Sequence, residues 1–210
     1  MRWLAIPIVA VLGWLAFTLT PLAALYDLAR AVRARDVAYV ESHVNYRTLR
    51  LSLSRQITAA VRAALDADTG LEPRERQRLG DAAAGVSLAL AERMVTPQTV
   101  IDLLDDGWPE SLDLRKPQDQ EFRGLSIEGA SRLLPFYTAC EMRGFRTVVI
   151  PVPPSAPREQ QFRLRMRLRG FSWRLIDVEI TEALRAQMAQ SLSRGLVRAG
   201  VGERAPALRP

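Results

Sequence analysis

The sharpest chemical pattern in the chain is a row of arginines. Arg163, Arg165, Arg167 and Arg169 alternate with Phe162, Leu164, Met166 and Leu168. Such strict alternation is the signature of a half-buried β-strand. Alternate side chains then stand about 6.6 Å apart on one face, a spacing at which four guanidiniums can contact an extended polyanion, an array of lipid headgroups or an acidic partner. Arg174, on the strand expected next, extends the set. The competing reading is a solvated strand face whose arginines are neutralised by nearby acids, or an edge strand kept from pairing by its charge.

Other reactive residue types are sparse. His43 is the sole histidine and Cys140 the sole cysteine. Glu41 and Ser42 adjoin His43, but sequence neighbours rarely reach triad geometry, so a helix-end histidine is expected. Cys140 has no histidine near it and reads as a packing thiol; a lone cysteine also precludes an internal disulfide. Asp102, Asp105 and Asp106 could face a hard cation, although they lack the regular spacing of a calcium loop. An envelope hydrolase using these acids is the enzymatic alternative. Phosphate-binding glycine loops, zinc spacings and nucleophile elbows do not occur. The expectation is a protein without cofactor, metal or catalytic site.

These residues are positioned by a chain that begins with a location signal. Trp3 to Tyr26 contains no charged side chain, and about 20 apolar residues suffice to cross a bilayer. Pro7 and Gly13 are tolerable in a membrane helix, and Trp3 and Tyr26 sit where interfacial rings are favoured. A cleaved signal peptide fits less well, because Pro21 would follow a cut after Thr20 and Leu22 disfavours one after Ala24. The expected location is the inner (cytoplasmic) membrane, with a single pass. Arg30, Arg33 and Arg35 after the span argue for a cytoplasmic domain. A short N-terminal signal-anchor that keeps its tail inside argues for the extracytoplasmic side, which is the orientation adopted.

The net charge is +6, yet of the 29 basic residues only Lys116 is a lysine. Abundant arginine and alanine fit codon bias in a GC-rich genome, which weakens the charge as a sign of nucleic-acid binding. Phe162, Phe171 and Trp173 alternate onto the opposite face, which is expected to be buried, whereas single-strand binding needs exposed stacking platforms. The partners expected are membrane lipid, with an envelope protein or an apolar ligand as further candidates.

Residues 1–20 are expected to form the anchor and 21–180 an α+β domain. Within it, 21–107 is a helical half, 108–124 a loop and 125–180 a β half. Thr20-Pro21 reads as a helix start that divides span from domain. Asp36 caps Val37–His43, and Asn45 caps a helix to about Asp66. Pro73 opens the next helix and Thr96-Pro97 a short one ended by Gly107. Gly80 and Gly85 suggest close helix packing. Phe145–Val152 is a strand, Leu133–Cys140 a weaker one, and Phe162–Ile176 a hairpin turning at Gly170 with Met166 and Trp173 on its buried face. Residues 181–198 form a C-terminal helix whose Leu184, Met188 and Leu192 stripe, flanked by Arg185, Arg194 and Arg198, packs on the sheet or lies on a membrane. A disordered tail, 199–210, follows. The fold class is α+β, with about four antiparallel strands and helices on one face, in outline like a cystatin or NTF2-like cone.

Three stretches carry a family resemblance. They are Ala24-Leu25-Tyr26-Asp27-Leu28 through Ala31, Asp36 and Val44–Arg50; Val95-Thr96-Pro97-Gln98 leading into Leu103-Leu104; and Leu168–Leu175 with the strand after it. Together they resemble a bacterial membrane-anchored family, domain of unknown function 2939, over roughly 21–180. Asn45 stands where that family more often carries an acid. The resemblance implies an envelope-associated protein and supplies no reaction, ligand or active site. The expected role is a non-catalytic ligand- or partner-binding module, with its site between helices and sheet.

Overall fold

The computed structural model describes residues 2–106, 125 and 133–203, with side chains for 6–105, 125 and 133–198. The expected loop 108–124 and the last residues, 204–210, lie outside the described residues. Five helices open the chain: α1 (Arg2–Arg33), α2 (Val37–His43), α3 (Tyr46–Ala67), α4 (Pro73–Met94) and α5 (Pro97–Asp106). After α6 (Leu133–Ala139) come β1 (Glu141–Met142), β2 (Thr147–Val152), β3 (Phe162–Arg169) and β4 (Ser172–Glu179), and α7 (Glu182–Glu203) ends the order. The fold is α+β, and the sheet among the described residues is a four-stranded antiparallel meander in the order β1-β2-β3-β4.

Short polar caps start the helices where the sequence places them. Asp36 accepts from the Tyr39 amide at 3.0 Å, Asn45 from that of Thr48 at 3.2 Å, and Thr96 from that of Thr99 at 3.2 Å. Each satisfies a first-turn donor that has no partner inside the helix.

Thr20-Pro21 behaves differently from expectation. α1 passes through it as one helix, so no cap divides span from domain. Pro21 has no N–H, which leaves the Phe17 carbonyl without its donor four residues on. The Thr20 hydroxyl supplies the missing bond, donating to the Phe17 oxygen at 2.7 Å. The Trp173 indole N–H in turn donates to Thr20 Oγ1 at 3.0 Å, tying β4 to the helix at its proline. Below this point Ile6 to Ala16 are exposed, while Leu22, Leu25, Leu28 and Val32 are buried in the core. The helix is thus a bare apolar rod at one end and a core element at the other. Thr20→Val removes both bonds and should cost about 1 kcal/mol, chiefly by leaving the indole N–H of buried Trp173 without its acceptor, since Thr20 itself is exposed. Thr20→Ser should restore most of it; denaturant unfolding in detergent, followed by tryptophan fluorescence, reads the difference.

Two further expectations are corrected. Residues 133–139 are helical rather than a strand: Leu133, Phe136, Tyr137 and Cys140 recur at helical spacing and turn inward together. The C-terminal helix extends through Glu203, so 199–203 continue it instead of beginning a tail. A Cβ placed on Gly80 meets Arg62 only at 3.5 Å, and one on Gly85 meets nothing within 4 Å; neither glycine is required by close packing.

One face of the sheet lines the core with Val148, Ile150, Leu164, Met166, Trp173 and Leu175. Register pairs Met166 with Leu175 and Leu168 with Trp173. An irregularity at Arg165/Met166 leaves Ile176 as an extra residue, since Arg165 pairs with Asp177. The slip changes the parity of β4, which is why Val178 and Ile180 return to the core face after Leu175. Leu184 and Met188 of α7 are buried too, packed with α3 and α4 more than with the sheet.

Candidate functional site

The arginine row does not share one environment. Alternation on a strand decides which face a residue takes, but not how deeply that face is covered. Arg163, at the start of β3, is buried, its side chain only 8% exposed. It donates to Glu141 at 2.7 Å and lies 3.5 Å from Glu179. Arg165 is half-buried and meets Asp177 at 3.3 Å. Arg167 and Arg174 face each other in register and, with Arg169, are solvent-exposed. None of these three has an acidic partner among the described residues. The inner half of the row is therefore neutralised within the protein, while the outer half, at the β3–β4 turn, is an exposed basic surface without acidic partners among the described residues.

Arg165 and Asp177 also floor a groove of about 680 Å³ between α3, α7 and the sheet. Its walls are small: Ala59, Ala60, Ala63 and Ala64 on α3, with Ala186 and Ala189 on α7. Its floor alternates in charge. Arg185 lies 3.2 Å from Glu182 and 3.8 Å from Glu179, beside the Arg165–Asp177 pair. Asp177 is 9% exposed; Oδ2 meets Arg165, while Oδ1 is buried without a hydrogen-bond partner, as are Nε of Arg165 and of Arg185. Buried polar atoms are rarely left in this state, and three of them gather around one groove. No spacing rule in the sequence points to this site, because its groups come from β3, β4, α3 and α7.

The apolar space between helices and sheet is nearly filled. Between α3, α5, β4 and α7, lined by Leu53, Met94 and Met188 among others, about 30 Å³ remains, close to the volume one water molecule occupies in the liquid.

The remaining candidates are structural in their contacts. His43 ends α2, stacked on Tyr39 with ring centroids 4.0 Å apart, and its Nδ1 lies within hydrogen-bond reach of the Tyr39 carbonyl at 2.9 Å. The Cys140 thiol donates to the Tyr137 carbonyl at 3.2 Å, and burial raises its pKa above the ordinary thiol value, which suppresses the reactive thiolate. Asp102 pairs with Arg35 at 3.3 Å. The side chain of Asp106 lies outside the described residues. Among the described residues no three acids, cysteines or histidines gather as a metal site.

Residues 10–103 match the family model described as Protein of unknown function (DUF2939). The match takes in α1 from Ala10 onward and the helical half into α5, and stops before the sheet. No curated protein and no solved structure matches the chain. α1 is also the one helix, among the described residues, long and apolar enough to cross a membrane, as a signal sequence near an N-terminus would be as well.

Proposed function

We propose that this chain is a single-pass protein of the bacterial cell envelope, held in the cytoplasmic membrane by α1, and that its folded part is a non-catalytic binding module. The domain stands on the extracytoplasmic side, and the ligand site is the groove between α3, α7 and the sheet. The occupant is a polypeptide segment of an envelope partner. Asp177 carries this reading: its carboxylate lines an open groove and keeps one oxygen buried without a partner, so a small turn of the side chain would offer that acceptor to an incoming N–H donor. The Nε atoms of Arg165 and Arg185, buried and unpartnered as well, would offer donors to carbonyl oxygens by a similar adjustment. A polypeptide backbone offers both groups along its length, and the alanine walls let it approach closely.

A catalytic reading has less support. Asp177, Glu179 and Glu182 each have an arginine within 4 Å, so none is a free carboxylate of the kind a hydrolase pairs with a general acid.

The test fills the groove. Ala63 and Ala186 are exposed on opposite walls, so Ala63→Trp and Ala186→Trp should leave folding intact while blocking entry. Proteins recovered with the tagged full chain from native membranes should include at least one species that both variants lose severalfold. An identical set in identical yield from wild type and both variants would remove the groove from consideration. Protease accessibility in sealed membranes reads the side on which the domain lies.

A further inference from the structure

We propose that the two β-turns at one end of the sheet dock onto an anionic phospholipid surface, in the leaflet from which α1 emerges toward the domain. The proposal rests on α1 being a membrane span. In a meander, successive turns alternate between the two ends of the sheet. The β1–β2 turn (143–146) and the β3–β4 turn (170–171) therefore share one end, and the Leu168 amide joins them by donating to the Arg146 carbonyl at 2.9 Å. The β2–β3 connection lies at the opposite end.

Each of the paired turns carries an exposed phenylalanine at its tip. Phe171, expected on the buried face with Phe162 and Trp173, is instead fully exposed, at 107%, because it sits in the turn itself beside Gly170, whose φ of +62° forms the reversal. Phe145 is 70% exposed, after Gly144 at φ +81°. Large apolar rings on turn tips gain nothing from the protein's own core. What lies beside Phe145 is the apolar part of α1: its ring meets Trp14 edge-on, centroids 6.0 Å apart. Trp14 is five positions before Leu19, the last exposed apolar residue of that stretch, or about 8 Å along the helix. With the domain-side boundary of the bilayer at Leu19, the Phe145 ring would sit about 8 Å inside it, within the headgroup and acyl boundary where aromatic rings are favoured.

Charge selects the surface. Arg146, Arg167, Arg169 and Arg174 are exposed at this end and have no acidic partner among the described residues. The nearby acid, Glu141, is already engaged by Arg163 and Arg143. The arginines that pair with Asp177, Glu179 and Glu182 lie farther from the turns, Arg163 and Arg165 along β3 and Arg185 on α7. Basic side chains around inserted aromatics match the phosphates of anionic headgroups, and docking here leaves the groove facing away from the lipid.

Single-cysteine labelling of the full chain tests this. In a Cys140→Ser background, an environment-sensitive fluorophore is placed at Phe171→Cys, at Ser155→Cys in the opposite connection, and at Val9→Cys in α1. The proteins are reconstituted into phosphatidylcholine vesicles with and without phosphatidylglycerol. The label at 171 is expected to be quenched by nitroxides attached near the headgroup and shielded severalfold from aqueous iodide relative to 155. This shielding should weaken in pure phosphatidylcholine and in the Arg167→Gln, Arg169→Gln, Arg174→Gln triple variant. Equal iodide access at 171 and 155 would overturn docking. Equal shielding at 171 in both lipid mixtures would overturn anionic recognition. The label at 9 separates the premise: if deep-chain nitroxides fail to quench it, the span reading falls, while position 171 still decides docking.

Discussion

Replacing Glu141 and Glu179 together by glutamine is expected to destabilise the domain by about 3 kcal/mol, toward the low end of what an orphaned buried charge costs. Arg163 is the cause. Its guanidinium is nearly inaccessible to water, and those two carboxylates are the counter-charges it meets. Both acids are themselves partly exposed, at 53% and 37%, so water can follow a substitution and soften the loss. Breaking such a pair from one side differs from removing it whole. Adding Arg163→Met to the double variant should therefore recover most of the stability, because an unbranched apolar side chain can take the place of the arginine stem. Denaturant midpoints of the three proteins, compared at equal slope, check the prediction. A double variant as stable as wild type would show that Arg163 draws on some other source of solvation.

Gln56→Leu should cost about 3 kcal/mol by a separate route. β4 is the sheet edge beyond which α3 packs, and its outward backbone groups need partners. Gln56 supplies two from one side chain. Its amide donates to the Val178 carbonyl at 2.9 Å, and its carbonyl accepts from the Ile180 amide at 3.1 Å, as a neighbouring strand would. Val178 and Ile180 are both buried, so leucine would leave a donor and an acceptor unmet at ~1–3 kcal/mol each. Hydrogen exchange offers a local readout: the Ile180 amide should lose most of its protection, while amides in the middle of β3 change only with global stability. Gln56→Glu keeps the acceptor for Ile180 but turns a carboxylate oxygen toward the Val178 carbonyl, and should not restore stability.

Both predictions concern contacts far apart in sequence, and the same distinction marks what was legible beforehand. Asp36, Asn45 and Thr96 act within three residues, so their caps could be read directly. The β3–β4 hairpin was equally plain, since alternation and Gly170 are local signals. Arg163 and Arg169 look alike in the sequence, yet one is buried and the other exposed, because Glu141 and Glu179 arrive from other strands. Gln56 sits in an otherwise ordinary helix, and nothing near it announces a partner in β4. Leu133, Phe136, Tyr137 and Cys140 did carry a readable helical spacing, obscured by the apolar run around them. The groove was hidden for the same reason as the Arg163 site: α3 and α7 are brought together only by tertiary packing.

The unbroken passage of α1 through Pro21 has a mechanical consequence. A flexible tether would let a domain swing and sample many heights above a bilayer. Here the helix leaving the apolar stretch is already part of the core, and Trp173 clamps it where the proline would otherwise weaken it. Domain and rod must therefore tilt as one body. A partner pulling on the groove would apply torque to the α1 rod, and a change in bilayer thickness that tilts the rod would reorient the groove. The Thr20 relay is the fulcrum of that lever.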